Sequence, residues 1–300
     1  MAQLFWDSMH TLIYSGQNAM TCALSDSLRA AGHTVGFREP RFWGGERERC
    51  DMQFVASARH PGLLDRTDVP TIILDWGYLN RVNDRSEAET GHWQVSLSGL
   101  NRIPSFACLS DRFDALGLTV AERGGDPDGY VLLIGQMPGD AAHAGTDHRQ
   151  WLTDQLHQYD DVVYRPHPRG GIDLPGVRTH TGALNDALRG ARLVVTYNSN
   201  TGHEALLAGI PVVCGPCAAY APLSGETLPS KADREAYFHR VAYGQWTADE
   251  VRSGACLSFL VNHLIPNKPM NVPKLVLPEM GTNAPNNGKK TRGRPRKVEA

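Results

Sequence analysis

Residues 161–216 read DVVYRPHPRGGIDLPGVRTHTGALNDALRGARLVVTYNSNTGHEALLAGIPVVCGP, and this stretch decides the fold. Three short apolar, β-rich runs, at 162–164, 193–197 and 211–214, alternate with segments patterned as helices at 185–191 and 202–208. That alternation is the mark of parallel βαβ units. In an open parallel sheet, ligands bind beyond the carboxyl ends of the strands. The residues that close each run, 165–169, 198–203 and 215–216, are therefore expected to share one crevice.

Upstream, YVLLI at 130–134 reads as a further buried strand, followed by a helix over 147–159 with Leu152, Leu156 and Tyr159 on one face. The turn-rich ERGGDPDG at 122–129 separates this unit from a first one. In that first unit strands are expected at 11–14, 33–37, 52–56, 71–74 and, weakly, 93–97, with a helix over 20–30. Residues 80–90 are charged and read as a surface loop, and 247–264 as one closing helix capped by Thr247. The expected architecture is α/β, with two Rossmann-like domains at 1–125 and 126–265 whose parallel sheets face a central cleft. Residues 266–300, rich in Asn, Pro, Gly and Lys, are expected to form a flexible tail.

The formal net charge of −2 over 300 residues hides a densely basic C-terminal end on a mildly acidic body. No apolar run approaches the roughly 20 residues that span a bilayer, so no membrane partner and a cytoplasmic location are expected. The six cysteines are scattered, and only Cys214 and Cys217 have CxxC spacing. Zinc would need a second ligand pair, which does not follow, so no tightly bound metal is expected.

Asn198, Ser199, Asn200, Thr201 and Gly202 lie between a strand and a helix, where unpaired amides and the helix dipole favour a phosphate. The competing reading is a plain N-cap. Glu204, about one turn into the helix, can accept from both hydroxyls of a ribose, or be an acid favoured by the dipole. In Arg165-Pro166-His167-Pro168-Arg169 two prolines impose an extended path, so Arg165, His167 and Arg169 form a basic comb suited to phosphates.

The order of RPHPR, a strand ending in YNSNTG and then HEALLAGIPVV at 203–213 resembles the nucleotide-binding half of GT-B glycosyltransferases. It looks most like the capsule-polysaccharide-biosynthesis type, over roughly residues 130–220. The resemblance implies a nucleotide-sugar donor, a UDP-sugar first and a CMP-sugar second, bound by the C-terminal domain. It also implies that His167 and Ser199 contact phosphate or sugar, that Glu204 contacts the ribose, and that Gly135 and Gln136 open a glycine turn near the donor. An inverting transfer needs a base to deprotonate the acceptor hydroxyl. Asp75, at a strand end, is the first candidate, with a structural aspartate capping the Trp76-Gly77 turn as its competing reading, and Asp7 or His10 near the first strand the second; a retaining reaction need not use one.

Arg292-Gly293-Arg294-Pro295-Arg296-Lys297, preceded by Lys289 and Lys290, resembles an AT-hook, in which arginines lie in the narrow minor groove of A·T-rich DNA. The competing reading is a solvated basic tail or a localisation signal. Together the two resemblances imply a glycosyltransferase acting on DNA, like the bacteriophage enzymes that glycosylate hydroxymethylated pyrimidines, working in the host cytoplasm if phage-encoded. A transferase acting on a glycan, lipid or small molecule, and a non-catalytic DNA-binding protein on a transferase fold, are the alternatives.

Overall fold

A computed structural model describes residues 8–82, 84–143 and 145–270. The first half contains β1 (His10–Tyr14), α1 (Ala19–Ala30), β2 (Thr34–Arg38), β3 (Met52–Ala56), α2 (Pro61–Leu64), β4 (Thr71–Trp76), β5 (Trp93–Leu97) and α3 (Asp111–Ala115). The second contains β6 (Tyr130–Ile134), α4 (His148–Gln158), β7 (Val162–Arg165), α5 (Leu184–Arg189), β8 (Ala191–Thr196), α6 (Thr201–Ala208), β9 (Val212–Cys214) and α7 (Lys231–Tyr243). The chain then adds β10 (Gln245–Trp246), α8 (Ala248–Arg252), α9 (Ala255–Phe259) and a π-helical turn at Leu260–Leu264.

Strand order is β10-β5-β4-β3-β1-β2 in the first sheet and β7-β6-β8-β9 in the second. The second sheet is parallel throughout, and so are the pairs among β1 to β4; β5 and β10 add an antiparallel edge to the first. Alternation along β6 sends Leu132 and Ile134 into one buried cluster and Val131 and Leu133 into another. Both faces of that sheet are thereby covered, as the unbroken apolar run requires. In α1, Asn18 and Thr21 cap each other reciprocally, and Met20, Ala23, Leu24 and Leu28 turn inward.

Two expectations change. The closing helix is broken at Gly254, whose φ of +84° is a left-handed conformation open to glycine, so α8 and α9 are separate. The segment from Gln245 onward also returns to the first half. Trp246, Val251, Leu257 and Leu260 belong to the same buried cluster as Ile13 and Leu24. Domain membership therefore does not follow the linear division at 126–265, because the edge of β5 takes β10 as its partner. Arg112 fastens this return through a bidentate pair with Glu250, at 2.6 and 3.0 Å, and its guanidinium stands 3.7 Å over the Trp246 ring.

Among the described residues no helix is long and apolar enough to cross a membrane. Asp7 and the AT-hook-like run Arg292-Gly293-Arg294-Pro295-Arg296-Lys297 lie outside the described residues.

Candidate active site

The parallel strands of both sheets end at a common cleft of about 1010 Å³. One wall carries Arg59, Asp75, Trp76 and Arg81 from the first half; the other carries Gln136, Asp140, His167, Arg169 and Asn198 to Asn200 from the second. Carboxyl-end loops thus converge where open α/β sheets bind ligands.

His167 lines this cleft, and its Nδ1 accepts from the Arg169 N–H at 3.2 Å. That bond places the proton of the neutral ring on Nε2, leaving an N–H donor. Burial, then Arg169 and Arg81, lowers the His167 pKa, so the ring is neutral near pH 7. The Arg169 guanidinium stands 5.3 Å over the Trp76 ring, a contact between the two walls.

The rest of the expected comb is different. Arg165 is absent from the cleft lining, and its Nη1 donates to the Gly182 carbonyl at 2.6 Å. The bridge between Tyr164 and Thr179 lays the following loop alongside the end of β7, so backbone carbonyls capture this guanidinium. Gly135 is likewise a packing residue: a Cβ there would stand 2.3 Å from the Tyr164 hydroxyl. Gln136 and Asn198 clasp the ends of β6 and β8. Gln136 Nε2 donates to Asn198 Oδ1 at 2.5 Å, and the Asn198 N–H donates back to Gln136 Oε1 at 3.0 Å.

At the start of α6, Thr201 N–H donates to Ser199 Oγ at 3.3 Å, and no side chain of the preceding Asn200 caps the helix. Asn200 instead donates from Nδ2 to the Gly77 carbonyl of the first half at 3.0 Å. Gly202 meets the Tyr220 ring, where a Cβ would fall 2.2 Å from a ring carbon. This glycine serves close packing. Glu204, like Arg165, is absent from the cleft lining and stays solvent-accessible, yet the surrounding protein raises its carboxyl pKa, with Arg81 and Arg165 pulling the other way.

Asp75 lies where it can touch a ligand from the first half. Its Oδ1 accepts from the Trp76 N–H at 2.7 Å. Desolvation raises its pKa, Asp140 on the far wall adds to the rise, and Arg59 opposes it. His10 is elsewhere: it begins β1, at the amino end of a sheet whose carboxyl ends face the cleft, and its Nδ1 is 3.0 Å from Thr34 Oγ1. Strand polarity removes it from the candidate bases.

Arg81, Arg59, Trp76 and Asp140 enter the site without having been singled out in the sequence. Arg81 comes from the expected surface loop, yet Tyr78, Leu79 and Val82 around it are buried. The apolar residues of Trp76-Gly77-Tyr78-Leu79 were the available signal that this loop starts inside the protein. His203 is a core residue, its Nε2 2.9 Å from the Tyr237 hydroxyl, and burial lowers its pKa to about 3. Cys214 and Cys217 are free thiols, and among the described residues no group of three or more His, Cys, Asp or Glu is placed to hold a metal ion.

Two α/β halves with the carboxyl ends of their parallel strands facing one cleft define a GT-B-like fold. No protein-family model matches the chain, and no curated protein matches it in sequence. Among solved structures it is similar to Thermosulfurimonas dismutans KpsC, beta Kdo 2,4 transferase, with a TM-score of 0.53 and 16% identity over 79% of this chain and 91% of that one. The T. dismutans KpsC, beta Kdo 2,7 transferase, gives a TM-score of 0.48 and 13% identity over 83% of this chain and 99% of that one. The first of these likenesses is one of fold.

Proposed function

We propose that the chain is a glycosyltransferase that moves a sugar from a nucleotide-sugar to a hydroxyl acceptor, and that the acceptor is a hydroxymethylated pyrimidine in DNA. The observation that carries the transfer reading is the position of Asp75 at the junction of two cavities. One is the main cleft, with His167 and Ser199 on the opposite wall; the other, of about 800 Å³, lies in the first half and is lined by Gln17, Ser57, Trp76 and Trp93. A donor in the first and an acceptor in the second would meet at this carboxylate.

In an inverting transfer the Asp75 carboxylate takes the acceptor proton as the hydroxyl oxygen attacks the anomeric carbon. The bond from that carbon to the nucleotide's phosphate oxygen breaks, and the phosphate keeps the electron pair. His167 Nε2–H, the Arg169 guanidinium and the amide end of α6 would stabilise the charge that develops there. Glu204 is assigned to the ribose of the donor, a UDP-sugar first and a CMP-sugar second.

The DNA acceptor is supported by Arg292 to Lys297, whose Arg-Gly-Arg-Pro core suits a minor groove. A weak tether raises the local concentration of acceptor bases without demanding sequence specificity. Such an enzyme works in the cytoplasm, where its donor and acceptor meet. The fold likeness to a Kdo transferase favours a second reading, a saccharide acceptor.

Incubation with UDP- and CMP-sugars and hydroxymethylpyrimidine DNA, followed by mass analysis of the nucleosides, is expected to show the mass of one added sugar. Removing residues 286–300 is expected to slow this transfer while leaving donor hydrolysis unchanged. Failure with every donor, alongside transfer to a saccharide, would establish the second reading instead. His167→Ala is expected to weaken donor binding by about 1.5–3 kcal/mol, at unchanged thermal stability; undiminished affinity in calorimetry would remove His167 from the donor site.

A further inference from the structure

Residues 77–82 follow β4 and belong by sequence to the first half, yet they are fastened to several parts of the molecule. Gln245 of β10 is wholly buried, and its Oε1 accepts from the N–H groups of Tyr78 and Leu79, each at 2.8 Å. Its Nε2 donates to the Leu79 carbonyl at 2.9 Å. One amide side chain thereby satisfies three backbone groups, which needs both an acceptor with two lone pairs and a donor. Asn200 of the second half holds the Gly77 carbonyl, and the His92 N–H holds the Asn80 carbonyl at 3.0 Å. Tyr78 and Leu79 are buried in the second half's core, with the Tyr78 ring 5.2 Å from His203.

This strap ends on Arg81. Asn80 adopts a left-handed backbone, with φ of 45°, immediately before it, and Arg81 lines the cleft together with His167, Arg169 and Asn200 of the opposite wall. Arg81 interacts electrostatically with Glu204 and with Arg169. Two guanidinium groups beside a neutral histidine at the amino end of α6 make a recess suited to phosphate oxygens, which guanidinium groups bind through paired N–H donors.

We propose that Arg81 is an anion-binding residue of the donor site, supplied by the first half, and that Gln245 is the residue that positions it. This rests on the donor-site reading given above. The phosphate site is then assembled across the two halves before the donor arrives, and residue 245, far along the chain, controls its geometry.

Calorimetry with UDP, CMP and uridine tests this on the full chain. Arg81→Gln is expected to weaken UDP or CMP binding roughly 10- to 100-fold, with uridine affinity unchanged, and Arg81→Lys to recover part of the loss. Gln245→Met, which keeps the side-chain volume, is expected to weaken nucleotide but not uridine binding. The double variant is expected to be no weaker than Arg81→Gln alone, because Gln245 acts through Arg81. Parental nucleotide affinity in Arg81→Gln would overturn the proposal, and the Arg81 variants decide this even if Gln245→Met does not fold. Additive losses in the double variant would overturn the role of Gln245. If the parent protein binds neither nucleotide, the donor-site reading falls too; if it binds and Arg81→Gln binds equally, only this proposal falls.

Discussion

Asp75→Asn is expected to lower sugar transfer by about 100-fold or more, the usual contribution of a positioned base, while nucleotide affinity stays near that of the parent. Asp75 stands at the meeting point of the two cavities, whereas His167 and Arg169, the groups proposed to hold the donor phosphate, lie on the opposite wall. Its removal therefore separates turnover from donor binding. The pH dependence has a definite sign. Burial and Asp140 raise the Asp75 pKa, and the ionised form is the base, so transfer should rise with pH through that raised value and then level off. In the asparagine variant this limb should disappear.

Stability should move the other way. With a raised pKa the folded chain holds this proton more tightly than the unfolded chain. Folding is favoured by that proton below the unfolded carboxylate range, and the advantage is lost as pH rises through the folded pKa. Near pH 7 the ionised Asp75 is thus a cost, and Asp75→Asn should be at least as heat-stable as the parent. A variant that transfers sugar at close to the parental rate would rule out Asp75 as the base.

Arg234→Ala is expected to have the largest effect on stability, about 3–5 kcal/mol, seen as a fall in Tm on the order of 10 °C. Arg234 is fully buried, at 0% exposure, and its guanidinium donates to four backbone carbonyls. Nε donates to Pro229 at 3.1 Å, Nη1 to Ala121 at 2.9 Å and Leu206 at 2.8 Å, and Nη2 to Glu122 at 3.0 Å. These carbonyls belong to the connection between the halves, the last turn of α6 and the approach to α7, so one guanidinium ties three segments. Truncation leaves four acceptors without their donor and opens a cavity. Arg234→Lys should recover little, because an ammonium cannot reproduce the planar fork that spans them. A Tm within about 2 °C of the parent would show that water replaces the guanidinium at no cost.

The strands of residues 161–216 were legible because apolar, β-branched runs such as RLVVT and the intervening helical segments express the periods of local backbone structure. Parallel pairing followed from that alternation, and with it the convergence of His167, Arg169, Ser199 and Asn200 on one cleft. The helix α7 was not read from the sequence: its inward apolar residues Tyr237, Phe238, Val241 and Ala242 crowd into its second half, behind KADRE. Arg165 illustrates a different limit. Its residue type and spacing match those of Arg169, and only the carbonyl of Gly182, brought alongside β7, diverts it.

By itself the sequence determined the α/β class, the two-sheet organisation and the strand ends on the second wall of the cleft, since each depends on residues close together in the chain. Tertiary structure alone decided that Gln245 holds Tyr78 and Leu79, more than 160 residues earlier, and thereby sets Arg81 opposite His167. It also decided that residues 245–264 complete the first half's core. The physical reason is that hydrogen bonds and apolar burial depend on proximity in space, and periodicity along the chain carries no record of which distant segment will satisfy a given donor or cover a given face.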